Sequence, residues 1–76
     1  MDVKVYSTPT CPYCHMAKDY LKAKHISFTA VDVSEDRQGL DEMMKLSGQM
    51  GVPVVVIDGK VIVGFDKAKI DAAIVK

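Results

Sequence analysis

The run of branched apolar residues Val54-Val55-Val56-Ile57 constrains this chain more than any other feature of its sequence. A strand with one wet face alternates polar and apolar residues. An unbroken run of this kind is what a strand covered on both faces shows. The chain must therefore build a sheet with helices on both sides. Asp58-Gly59 follows as a two-residue hairpin turn, and Val61-Ile62-Val63 returns antiparallel to the buried run.

The upstream segments supply the rest of such a sheet and its cover. Val3-Lys4-Val5-Tyr6 is a short alternating strand closed by the turn-forming Ser7-Thr8-Pro9-Thr10. From Pro12 to about Lys24, Tyr13, Met16, Ala17, Tyr20 and Leu21 recur at helical spacing, with Pro12 suited to a first turn. Phe28 to Val33 reads as a second strand. Ser34 then offers a capping hydroxyl, with Glu35 and Asp36 as acidic first-turn residues of a second helix. That helix carries Leu40, Met43, Met44 and Ser47 on one face and ends near Gly48; the chain's five methionines read as core filler. Asp66 can cap a last helix whose buried face is Ile70, Ala73 and Ile74.

The order is β-α-β-α-β-β-α, an α/β arrangement in which the first βαβ unit is parallel and right-handed. It predicts a four-stranded mixed sheet flanked by three helices. Residues 1–76 read as one domain, with no internal repeat, linker or low-complexity tract.

Composition narrows the function classes. With 49% hydrophobic residues and a mean hydropathy of +0.09, the chain is not intrinsically disordered. Ten basic and ten acidic residues cancel, so there is no electrostatic footprint for nucleic acid or an anionic membrane. No apolar run approaches the roughly 18 residues of a membrane span. The start, Met1-Asp2-Val3-Lys4, shows no cationic leader or cleavage site, and the expected location is the reducing cytoplasm. In that compartment a cysteine pair serves redox or metal chemistry rather than a structural staple. Thiols and other proteins are the expected partners, and a monomer the expected state.

Cys11 and Cys14 lie where the first strand hands over to the first helix. At the helix N-terminus the unsatisfied N–H groups of the first turn face the Cys11 sulfur and favour thiolate, the nucleophilic form. Cys14, one turn inside, is placed to close a disulfide with Cys11 and to be the more buried of the two. Other readings of the pair exist. Cys11-Pro12-Tyr13-Cys14-His15 matches a haem-attachment pattern, which would require export. Zinc wants four ligands, and only His15 and His25 remain. Two inert buried thiols are a further possibility. Position on a strand-to-helix turn favours redox chemistry, with no metal. His15 is expected to face solvent without a catalytic role, and His25 to end the helix where an imidazolium suits the macrodipole. Gly51-Val52-Pro53 precedes the buried strand, which should run beside the first strand and bring Pro53 to the cysteines.

These residues resemble the bacterial glutaredoxins over almost the whole chain. Cys11-Pro12-Tyr13-Cys14 is similar to that family's dithiol motif, Val52-Pro53 to its cis-proline element, and Gly64-Phe65-Asp66 to its glycine-containing turn before the last helix. The resemblance implies the thioredoxin fold in its minimal form. It implies that Cys11 attacks glutathione mixed disulfides and that Cys14 or a second glutathione releases it. Val52 and Pro53 would present backbone to the cysteinyl part of glutathione and Tyr13 would flank it. Gly64, Phe65 and Asp66 would hold the γ-glutamyl end. No tightly bound cofactor is implied; glutathione is a co-substrate, and disulfide-bearing proteins are partners.

Departures from the pattern accompany the match. Ser7 stands four residues before Cys11, where many members carry a lysine for the glycyl carboxylate. Val63-Gly64 stands for the common Gly-Gly, and Gln49 for a basic residue of some members. Val63-Gly64-Phe65 also resembles the Ser-Gly-Phe of NrdH-type redoxins, which take electrons from thioredoxin reductase and pass them to ribonucleotide reductase. A further alternative is a dimer carrying a 2Fe–2S cluster on Cys11 and two glutathiones, which the dithiol motif disfavours.

Overall fold

Strand β1 (Val3–Ser7) is central, and its side chains record it: Val3, Val5, Tyr6 and Ser7 are all buried. In the computed structural model, which describes residues 2–49 and 51–74, β1 pairs in parallel with β2 (Thr29–Asp32). On its other side it pairs antiparallel with β3 (Val54–Ile57), and β3 pairs antiparallel with β4 (Lys60–Val63). The strand order is β2-β1-β3-β4. Register places Ala30, Val5, Val55 and Ile62 in one row across the sheet, and Val31, Tyr6, Val54 and Val63 in the next.

The pleat sends these rows to opposite faces, and each face has its own core. Val3, Val5, Val55, Ile57 and Ile62 pack with Ala17, Leu21, Ile70 and Ala73; Tyr6, Val33 and Val54 pack with Met43. The apolar run of β3 is thus covered on both sides, as its sequence requires. The hairpin forms at Asp58 (φ 49°) and Gly59 (φ 85°), the pair of positive φ angles that a type I′ turn needs.

Helix α1 (Pro12–Ala23) buries Cys14, Ala17 and Leu21. Met16, expected among the core-filling methionines, is instead 46% exposed, and Tyr13 is 61% exposed. The helix ends with His25 in the left-handed region (φ 59°). The His25 N–H donates to the Lys22 carbonyl and the Ile26 N–H to the Leu21 carbonyl, both at 3.0 Å. This is a Schellman termination with histidine where glycine is usual.

Helix α2 (Arg37–Ser47) begins two residues later than Ser34 suggested. Its cap is Asp36, whose Oδ1 accepts from the Gly39 N–H at 3.0 Å. The Ser34 hydroxyl donates to Asp32 instead, a bond that holds the Asp32 carboxyl below the usual carboxylate range. Gly39 lets α2 lie close on β2, since a Cβ there would stand 2.4 Å from Val31 Cγ1. Of the methionines, Met43 alone among those described is fully buried core; Met16 and Met44 are 46% and 39% exposed, and Met1 and Met50 lie outside the described residues.

Helix α3 (Lys67–Ile74) follows the expected pattern. Asp66 Oδ1 accepts from the Lys69 N–H at 3.2 Å, Ile70 and Ala73 are buried, and Ile74 packs at the margin. Fully burying Ile70 is worth about 1.5–3 kcal/mol in removed apolar surface. The Tyr20 hydroxyl donates to Asp71, and Lys24 Nζ lies 3.5 Å from the same carboxylate, fastening α3 to α1. Among the described residues no helix is long and apolar enough to cross a membrane.

Candidate active site

The centre of the sheet ends at Ser7, and the chain turns through residues 8–10 into α1. Cys11 is the residue at which that turn becomes helix. Its backbone is extended (φ −94°, ψ 111°), and its Sγ accepts from the Cys14 N–H at 3.3 Å. Sulfur here does what a serine or aspartate oxygen does at an ordinary N-cap. A donated N–H and the positive end of the helix both face that sulfur.

The two thiols sit in different surroundings. Cys11 is partly exposed, whereas Cys14 has no exposed surface. Burial pushes the Cys14 thiol up to about 11, and the neighbouring Cys11 adds to the rise. At neutral pH Cys14 is therefore held protonated while Cys11 meets solvent. Both are free thiols.

The loop before β3 closes the other side. The Cys11 thiol points to the Val52 carbonyl, 3.8 Å away; the Val52–Pro53 peptide bond is cis, and Pro53 is fully buried. The Pro53 carbonyl accepts from the Gly64 N–H at 2.8 Å, so the turn after β4 hangs from the proline. Gly64 has φ 81°, which favours glycine at this point. Sequence-distant residues Cys11, Cys14, Val52, Pro53 and Gly64 are thus joined by direct bonds. Phe65 sets its ring edge-on to Tyr20 at 5.8 Å, and Asp66 spends Oδ1 on the α3 cap. Tyr13 stands exposed on the first turn of α1.

One expectation needs correction. Ser7 is 2% exposed inside the central strand, so its side chain cannot offer or withhold a charge at the rim; the partly exposed Thr8 is the first residue that can. His15 is exposed, as expected, and its Nε2 lies 2.9 Å from the Pro9 carbonyl. Sequence reasoning also missed a groove of about 300 Å³ between α1 and α3, lined by Met16, Asp19, Tyr20, Phe65 and Lys67. Lys67 Nζ sits 5.7 Å from both ring centres there. The spacing of Met16 and Tyr20 was the only trace of it, and that spacing equally describes a core stripe.

A partly exposed sulfur capping a helix, a buried thiol one turn inside and a mixed sheet with helices on both faces define a thiol–disulfide oxidoreductase of thioredoxin-like fold. Residues 3–62 match the glutaredoxin family model, and the chain belongs to the glutaredoxin family. It is 55% identical over 74 residues to a glutaredoxin-like 8.6 kDa protein in the rubredoxin operon of Clostridium pasteurianum, covering 97% of this chain and 99% of that one. It is 40% identical over 65 residues to glutaredoxin 3 of Escherichia coli, covering 86% of this chain and 78% of the relative. The NrdH-redoxin of Escherichia coli superposes with a TM-score of 0.86 over 100% of this chain and 99% of that one; at 21% identity this likeness concerns the fold.

Proposed function

We propose that the chain reduces glutathione mixed disulfides and protein disulfides, with Cys11 attacking and Cys14 resolving. The Cys11 thiolate attacks the glutathione sulfur of a mixed disulfide. A Cys11–glutathione disulfide forms, the original sulfur–sulfur bond breaks, and the released thiolate takes a proton. A second glutathione thiolate then attacks the bound glutathione, leaving oxidised glutathione and the Cys11 thiolate. Alternatively Cys14 gives up its proton and attacks Cys11, releasing glutathione and closing an intramolecular disulfide. The observation that carries this assignment is the Cys14 N–H donated to the sulfur of Cys11 while Cys14 itself is buried.

In this reading glutathione lies across Tyr13, the Val52–Pro53 backbone and the Gly64–Asp66 turn. Glutathione is a co-substrate, no tightly bound cofactor is needed, and the working compartment is the reducing cytoplasm. A second reading is favoured by Val63-Gly64-Phe65 and by the uncharged Thr8 at the rim: reduction by thioredoxin reductase, with ribonucleotide reductase as acceptor.

NADPH oxidation separates the two. Glutathione with glutathione reductase should sustain turnover of a glutathionylated substrate. Efficient reduction by thioredoxin reductase, together with no turnover in the glutathione system, overturns the first reading in favour of the second.

A further inference from the structure

The turn that carries Cys11 is lightly held. The Cys11 N–H donates to the Thr8 carbonyl at 3.4 Å and the His15 N–H to the Cys11 carbonyl at 3.3 Å, both beyond the usual N–H···O range. The cap itself is a sulfur, a weak acceptor, at 3.3 Å from its donor. The shortest polar contact of the turn is the one from His15 Nε2 to the Pro9 carbonyl, 2.9 Å. A carbonyl only accepts, so Nε2 must carry the proton. The bond is therefore donated by the ring. It spans Cys11, tying the residue two before it to the residue four after.

We propose that His15 is a positioning residue: its bond to the Pro9 carbonyl fixes the turn so that the Cys11 sulfur stays on the Cys14 N–H and open to attack. An oxygen cap would hold such a turn by itself; the sulfur that chemistry requires cannot, and the imidazole supplies the missing restraint. The inference rests on Cys11 being the attacking thiol.

The test compares the parent with His15→Ala, which removes the donor, and His15→Gln, whose amide N–H can replace it. Turnover of a glutathionylated peptide should fall roughly three- to ten-fold in His15→Ala, the worth of one hydrogen bond expressed as a rate, at an unchanged half-saturating concentration. His15→Gln should recover to within about twofold of the parent. Hydrogen exchange at the Cys14 amide should quicken in His15→Ala and return in His15→Gln, a readout that needs no catalysis. His15→Ala turning over like the parent, His15→Gln as slow as His15→Ala, or unchanged exchange at Cys14 each overturns the proposal. Activity retained by Cys11→Ser would instead overturn the assignment of the attacking thiol.

Discussion

The backbone N–H of Cys14 donates to the sulfur of Cys11 at 3.3 Å, so one cysteine of the pair caps the helix that buries the other. The same four residues thereby give the two sulfurs unequal access, and unequal access separates their roles. Cys11→Ser should abolish turnover of every disulfide substrate. Cys14→Ser should keep turnover of glutathione mixed disulfides, because a second glutathione can resolve them, and should lose most activity on intramolecular protein disulfides. Equal losses in both variants with a glutathionylated peptide would refute this division.

The raised Cys14 thiol has a consequence for pH. Its ordinary value is 9.0 and its folded value about 11, so the folded state holds a proton that the unfolded chain gives up between them. Stability from this group is complete below about pH 9 and is lost as pH rises through that window. Tyr6, pushed up to about 12 by burial and by its bond to Glu42, acts in the same sense above pH 10. Denaturant midpoints measured from pH 7 to 11 should fall, and the fall between 9 and 11 should shrink in Cys14→Ser. A flat profile would refute the burial account.

Two backbone positions should respond in opposite directions. His25 sits at φ 59°, where a side chain is strained, so His25→Gly should stabilise by about 0.5–1 kcal/mol net of glycine's entropy. Gly39→Ala should destabilise by about 1–3 kcal/mol, since the added carbon meets Val31 at 2.4 Å and either helix or strand must move. Urea unfolding reads both.

The rim charge can be tested at neighbouring residues. Ser7→Lys buries an ammonium in the central strand and should unfold the protein or nearly so. Thr8→Lys puts the same charge at the partly exposed rim. If glutathione is the reductant, Thr8→Lys should lower its half-saturating concentration a few-fold, in keeping with the roughly 0.2–1 kcal/mol of an exposed ion pair. Added salt should erase the gain. No change in Thr8→Lys at low salt would argue against a glutathione carboxylate at this edge.

Much of the sheet was legible because local chemistry and burial agree there. Asp58-Gly59 specifies its turn through φ alone, and the Val54–Ile57 run announces two covered faces. The misread positions share a different cause. Ser34 and Asp36 both carry a capping oxygen, and the choice between them depends on where β2 releases the chain. Ser7 was placed at the rim because a strand's last residue cannot be told from the first residue of its turn by pattern. His15 escaped because its partner is a backbone carbonyl, a group that every residue carries.

The sequence by itself determined that Cys11 stands at a strand-to-helix turn and Cys14 one turn within, since strand pattern, Pro12 and helical spacing are all properties of neighbours along the chain. Only the tertiary structure decided that the Val52 carbonyl faces the Cys11 sulfur and that the Pro53 carbonyl holds Gly64. Those contacts follow from β3 pairing with β1 in one register, in which Val54 faces Tyr6. A shift of one residue would carry Val54 and Val55 to the opposite faces, and only burial in two packed cores excludes it.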